Sequence, residues 1–172
     1  YYFHRFFNFQ PDLNYRNPDV LLDMTRNFLF WLTQGVDGFR ADAIPYLWKE
    51  EGTTCENHPM LHHVVKFFRA VIDYVRPHTL LLAEACQRPN EVVKYFGEGD
   101  ECNAGYHFPL MPQIFKSLAA KDKKPVENIL STKVTPEIPE TAQWFTFLRC
   151  HDELSLELVY VSEEDRKYIH DN

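Results

Sequence analysis

Three acidic side chains stand at or shortly after the ends of short apolar runs of the chain: Asp42, Glu84 and Asp152. Arg40 precedes Asp42 by two positions, and residues two apart on a β-strand point to the same side. A guanidinium and a carboxylate would therefore project together, while His151 adjoins Asp152. These groups could form one reactive cluster. Taken one at a time, each acid could equally be a strand-end residue in a structural ion pair.

Two carboxyl groups that face each other across a glycosidic bond can carry out retaining hydrolysis or transfer. One attacks the anomeric carbon, while the other protonates the leaving oxygen and then deprotonates the acceptor. A neighbouring Arg favours an ionised carboxyl group, so Asp42 is the expected nucleophile. The apolar run 80–83 favours a protonated Glu84, which is the expected acid/base. A third acid, Asp152, could hold sugar hydroxyls and stabilise the positive charge on the ring.

The pattern around these acids predicts alternating helices and strands. Asn17-Pro18 indicates a helix start, apolar residues follow at helical spacing, and Gly35 ends the run. A strand up to Asp42, a loop over 43–59 and a second amphipathic helix closed by Pro77 come next. The remaining predicted elements follow in chain order: a strand over 79–85, a short helix over 89–96, a strand over 106–110, helices over 111–120 and 126–130, a strand over 144–149 and a helix capped by Ser162.

Such alternation implies an α/β fold with a parallel sheet and right-handed crossovers. The spacing of the three acids fits successive units of a barrel whose acids collect at one rim. We therefore predict a partial (β/α)8 TIM barrel, roughly strands four to seven with their helices. An open doubly wound sheet is the alternative, but it calls for a glycine-rich phosphate turn, and the sequence contains none.

Composition limits the partners. The net charge of −7 argues against nucleic acid and against an anionic membrane surface, and no apolar run is long enough to span a bilayer. The four cysteines are scattered, which favours reduced thiols and a cytoplasmic location, with an extracellular one left open. The spacing of His58, His62 and His63 fits a solvated helix face better than a zinc site.

Four stretches, in order along the chain, resemble conserved motifs of the α-amylase family of glycoside hydrolases (family 13). They are residues 10–14, 38–43, 82–85 and 148–153. The resemblance covers essentially the whole chain. It implies that residues 1–14 end a domain inserted after the third barrel strand, and that residues 15–172 are barrel units of a single catalytic domain. It also implies that the segment alone is inactive, because half of the barrel is missing.

The same resemblance implies a role for each candidate residue. Asp42 would be the nucleophile, Glu84 the acid/base and Asp152 the transition-state stabiliser. Arg40 would orient the nucleophile, and His151 would bind sugar hydroxyls. Cys150 departs from the family pattern, which usually has Asn at that position.

Within that family, the connecting segments are similar to those of the trehalose synthases. These segments are residues 1–7, 45–47, 51–57, 99–102 and 106–112. The similarity implies a disaccharide substrate and no cofactor for the chemistry. It also implies an intramolecular transfer of a glucosyl group that interconverts maltose and trehalose. An α-glucosidase or oligo-1,6-glucosidase is the first alternative, and a non-catalytic relative that binds a sugar or a partner is the second. The oligomeric state is left open, with a homo-oligomeric parent as one option.

The family's structural calcium ion would map to the Asp12 side chain and to the carbonyl groups of Tyr46 and Leu47. One further ligand position holds Lys49 where the family pattern has an acid. A cation there should weaken a calcium site. Calcium is therefore one option for this chain and not a requirement.

Overall fold

The computed structural model describes residues 1–149 and 161–172. Four strands form one parallel sheet in the order β1-β2-β3-β4. The strands are β1 Gly38–Ala41, β2 Leu80–Ala83, β3 Ala104–Tyr106 and β4 Gln143–Phe145. Each strand pairs with the next one along the chain, and helical segments lie in the connections. This arrangement confirms the predicted α/β fold and the parallel sheet of a partial barrel.

Six α-helices accompany the strands in the described part of the chain. They are α1 Pro18–Thr33, α2 Met60–Val75, α3 Pro89–Val92, α4 Leu110–Ala120, α5 Lys124–Ile129 and α6 Glu163–Asp171. Two 3-10 turns, Ile44–Tyr46 and Val93–Phe96, follow β1 and α3. Within residues 1–149 and 161–172, none of the helices has the length and hydropathy that a bilayer span requires.

The residues predicted to cap or end helices do so in the structure. The Asn17 side chain accepts a hydrogen bond of 2.9 Å from the Asp19 backbone amide and so caps α1. Gly35, just past the end of this helix, has φ +91°, a conformation in which glycine avoids the strain that a side chain would cause. At α6, Ser162 Oγ accepts from the Asp165 backbone amide at 3.1 Å.

The core lies between the sheet and its helices. Helix α2 buries an apolar stripe that includes Leu61, Val65 and Ile72, and this stripe packs in the same cluster as Leu81 and Ala83 of β2. Such spacing along a helix is typical of one face against a sheet. Burial of both faces explains why β2 is a continuous apolar run rather than an alternating one.

Strands β3 and β4 begin earlier than predicted. We expected strands over 106–110 and 144–149, but the ladder pairs Ala104 with Gln143 and Tyr106 with Phe145. The larger apolar residues that suggested the third strand belong to its end and to the turn that leads into α4. The strand itself uses Gly105, where a Cβ would lie 3.0 Å from Phe96 Cζ. Because this close contact favours glycine, the strand lacks the run of large apolar residues that would have indicated it in the sequence.

Gly38 offers a test of the β1–β2 pairing. An alanine Cβ at this position would lie 2.5 Å from Leu80 Cβ and 3.0 Å from the Leu80 carbonyl oxygen. Because the clash is with a paired strand, Gly38→Ala is expected to lower the free energy of unfolding by about 1–3 kcal/mol. Urea unfolding monitored by circular dichroism measures this change. A midpoint equal to that of the wild type would contradict the pairing of Gly38 with Leu80.

Candidate active site

One guanidinium connects two of the three predicted catalytic carboxyl groups. Arg40, near the end of β1, donates from Nη1 to Asp42 Oδ1. Its Nη2 lies 3.9 Å from Glu84 Oε1, just past the end of β2. The parallel pairing of Ala41 with Ala83 places the ends of both strands at the same edge of the sheet. The structure therefore brings Arg40, Asp42 and Glu84 together.

The turn after Asp42 is tied to Glu84. Ala43 adopts the left-handed conformation with φ 49°, and its amide donates a hydrogen bond of 2.8 Å to Glu84 Oε2. The Glu84 amide donates to the Ala41 carbonyl, and the Ile44 amide donates to the Glu84 carbonyl. These two backbone hydrogen bonds lie on either side of the contact between Ala43 and Glu84. The Glu84 side chain is 18% exposed and that of Asp42 71% exposed. Glu84 is thus the more sheltered of the two acids.

The charge around Arg40 favours its ionised form. Partial burial lowers the pKa of Arg40, but the hydrogen bond and charge of Asp42, and then the charge of Glu84, outweigh it and raise the pKa. A permanent cation at this place can orient the Asp42 carboxylate through its hydrogen bond. It can also hold the second carboxyl group beside the first.

Tyr106 belongs to this cluster, although the sequence reasoning did not assign it a role. The guanidinium carbon of Arg40 lies 5.9 Å from the centre of the Tyr106 ring, within the range of a cation–π contact. Tyr106 ends β3, the strand next to β2. The signal available in the sequence was a polar aromatic residue at the end of a strand, at the same sheet edge as the acids. The prediction missed it because the third strand was expected to begin at Tyr106, whereas it ends there.

A hollow of about 270 Å³ opens beside Asp42. The segment 1–14 forms one side, and the turn after β1 forms the other. Its lining residues are Phe6, Gln10, Pro11, Asp12, Leu13, Tyr15, Asp42, Ala43, Tyr46, Leu47 and Lys49. Polar and aromatic groups beside a carboxylate suit a sugar, because a sugar ring offers both hydroxyl groups and an apolar face.

The residues mapped to calcium lie in the same hollow. Asp12 Oδ2 is 2.7 Å from Lys49 Nζ, and the Tyr46 carbonyl oxygen accepts a second hydrogen bond from the same ammonium. Leu47 follows Tyr46 at the end of the 3-10 turn. Asp12 Oδ1 accepts from the Arg5 backbone amide at 3.1 Å.

A second polar network holds the loop after β1 against the loop after β2. Gln87 Nε2 donates to Glu56 Oε1 at 3.1 Å and to Asn57 Oδ1 at 3.2 Å. Tyr95 donates its hydroxyl proton to Asn57 Oδ1. Arg5 then joins the N-terminal segment to this network through a 3.1 Å ion pair with Glu56. These contacts fix the loops that surround the Asp42–Glu84 edge.

The third predicted acid belongs to a part of the chain that the structure leaves out. Cys150, His151, Asp152 and Glu153 lie outside the described residues. The preceding strand β4 is nonetheless in the sheet, next to β3. Arg40, Asp42 and Glu84, which lie together at one edge of the sheet, are therefore the part of the predicted catalytic site that the structure describes.

Comparison with known proteins identifies a matching family and similar sequences. The family model described as "Alpha amylase, catalytic domain" matches residues 1–168. A trehalose synthase/amylase from Mycolicibacterium smegmatis is 51% identical over 174 residues, which cover 99% of this chain and 29% of that protein. A trehalose synthase from Thermus thermophilus is 48% identical over 172 residues, which cover 99% of this chain and 17% of that protein. The chain thus spans less than a third of the length of these relatives.

A solved structure shares the fold. The sucrose 6F-phosphate phosphorylase from Thermoanaerobacter thermosaccharolyticum aligns with a TM-score of 0.70 over 94% of this chain and 31% of that chain. Sequence identity in this alignment is 21%, so the likeness concerns the fold alone.

Proposed function

Because this chain belongs to the α-amylase family, as its sequence motifs predicted, we propose that it carries the nucleophile and the acid/base of a trehalose synthase. The whole protein would convert maltose to trehalose and back by moving one glucosyl group. Relatives named as trehalose synthases support this choice at 48 to 51% identity over 99% of the chain. The geometric observation that carries it is the position of Arg40 between the Asp42 and Glu84 carboxyl groups.

The first half of the proposed reaction breaks the bond of maltose. An oxygen of Asp42 forms a bond to C1 of the non-reducing glucose while the bond from C1 to the bridging oxygen breaks. The proton of Glu84 moves to that oxygen and releases glucose. The products are a glucosyl ester on Asp42 and a Glu84 carboxylate. Arg40 donates a hydrogen bond to Asp42 and so orients this carboxylate for attack.

The second half makes the bond of trehalose. The released glucose turns and presents its anomeric hydroxyl group, whose proton passes to Glu84. Its oxygen attacks C1 as the ester bond to Asp42 breaks, so two inversions leave the transferred glucose in its original α configuration. Water must stay out during the turn, because it would otherwise hydrolyse the ester. The Gln87–Glu56–Asn57 network suits that task, since it fixes the loops around the site.

Two further roles rest on the sequence motifs. We propose that Asp152 stabilises the positive charge on the sugar ring and that His151 binds sugar hydroxyls. The domain division is also a proposal: residues 1–14 end an inserted domain, and residues 15–172 are barrel units. The small-molecule partner would be the disaccharide, and the chemistry would need no cofactor.

A cytoplasmic location is part of the same proposal. In the part of the chain that the structure describes, Cys55 and Cys102 are both buried and neither forms a disulfide. Burial raises the pKa of the Cys102 thiol far above its usual value, so this side chain behaves as an apolar packing group.

Product analysis tests the proposed activity. The full-length protein is incubated with maltose, and the sugars are separated by anion-exchange chromatography. Trehalose as the main product supports the proposal. Glucose alone would contradict it and favour the α-glucosidase alternative, while unchanged maltose would favour the non-catalytic relative.

A further inference from the structure

Lys49 stands at the position where the family resemblance maps a calcium ligand, and the structure shows what its side chain does there. The ammonium group lies 2.7 Å from Asp12 Oδ2 and also donates to the Tyr46 carbonyl oxygen. Both oxygens belong to the set that would bind calcium. We infer that the Lys49 ammonium takes the place of the calcium ion, so that this part of the protein is held together without metal.

The surroundings favour an organic cation. The Lys49 and Asp12 side chains are only 13% and 15% exposed, and Lys49 Nζ lies 5.3 Å from the centre of the Phe3 ring. Calcium takes six to eight oxygen ligands at about 2.3–2.6 Å. An aromatic face and an ammonium group that already uses the two oxygens leave no such shell. The residues present therefore do not fit a calcium ion.

The ammonium joins two segments that border Asp42. Asp12 organises the N-terminal segment, because its backbone amide donates to the Phe3 carbonyl at 3.0 Å and its Oδ1 accepts from the Arg5 amide. Tyr46 belongs to the 3-10 turn that follows Asp42. Lys49 thus fastens the segment 1–14 to the turn beside the nucleophile. Both partners line the hollow that contains Asp42.

A covalently attached cation cannot be removed by a chelator. The melting temperature of the full-length protein, measured by differential scanning fluorimetry, is expected to be the same in excess EDTA and in excess calcium chloride. A lower melting temperature in EDTA that calcium restores would overturn the inference. This readout does not depend on turnover, so it stays informative even if the proposed activity is wrong.

Two substitutions sharpen the test. Lys49→Met leaves the Asp12 carboxylate without its cation, so the melting temperature is expected to fall by several degrees in every buffer. Lys94→Met is the matched control, because Lys94 is 59% exposed in a surface pair with Glu91 and should change little. Equal melting temperatures for the two variants would contradict the inference.

Lys49→Glu returns an acid to the ligand position. Two carboxylates and the Tyr46 carbonyl would then face one another, so this variant is expected to be less stable than the wild type in EDTA and to be stabilised by calcium through linkage to binding. Calcium should have no such effect on Lys49→Met. A Lys49→Glu variant that responds to calcium no more than the wild type would show that Lys49 does not occupy a calcium position.

Discussion

Replacing Asp42 by Asn in the full-length protein is expected to lower kcat for the conversion of maltose to trehalose by about 10⁴-fold. The amide keeps the shape of the side chain but cannot form the glucosyl ester. It also removes the charge that faces Arg40. Initial rates of trehalose formation measure the loss, and circular dichroism checks that the variant is folded.

Asp37→Asn is the matched control for this substitution. Asp37 lies just before the opposite end of the same strand, its side chain is 93% exposed, and it forms a 2.9 Å ion pair with Arg76. Exposed pairs of this kind contribute little to stability, so activity should stay near that of the wild type. An Asp42→Asn variant that retains a substantial part of the activity would remove Asp42 from the role of nucleophile.

Replacing Glu84 by Gln is expected to give a loss that depends on the leaving group. On maltose, kcat should fall by about 10²–10⁴-fold, because the departing sugar oxygen needs a proton. On α-glucosyl fluoride, formation of the ester should be nearly normal, since fluoride leaves without one. The Gln oxygen can still accept from the Ala43 amide, so the turn after Asp42 is expected to remain in place. Burst kinetics with the fluoride measure the first step directly.

Azide provides a second readout for Glu84. It attacks the glucosyl ester without a general base, so it should restore turnover of α-glucosyl fluoride in Glu84→Gln and produce glucosyl azide. Glu91→Gln is the control, because Glu91 of α3 forms an ion pair with Lys94 of the following 3-10 turn, and the Lys94 side chain is 59% exposed. An equal loss on maltose and on the fluoride, with no effect of azide, would mean that Glu84 supports the structure and does not transfer protons.

The parts of the fold that were predictable are those with strong local signals. Helix α1 has a capping Asn17 and a terminating Gly35, and α2 has an uninterrupted apolar stripe. Strands β1 and β2 carry their acids immediately after their last apolar residues, which located the edge where Asp42 and Glu84 meet. Spacing alone could therefore place Arg40 with Asp42.

The rest depends on contacts that a single sequence does not reveal. β3 is short and contains Gly105, whose value lies in its close approach to Phe96. The position of Tyr106 near Arg40 follows from the pairing of three strands. Lys49 was recognisable as unfavourable for calcium, but only the structure shows its ammonium between Asp12 and Tyr46. The position of β3, of Tyr106 and of the Lys49 ammonium each depends on tertiary contacts that local sequence patterns do not reveal.

Trapping the covalent intermediate identifies the nucleophile directly. The full-length protein is incubated with 5-fluoro-α-D-glucosyl fluoride, which forms the ester but slows its breakdown, and is then digested and analysed by mass spectrometry. We predict a single fluoroglucosyl group on the peptide that contains Asp42, attached to the Asp42 carboxyl group. A label on Glu84 or on any other acid would contradict the assignment of Asp42 as nucleophile.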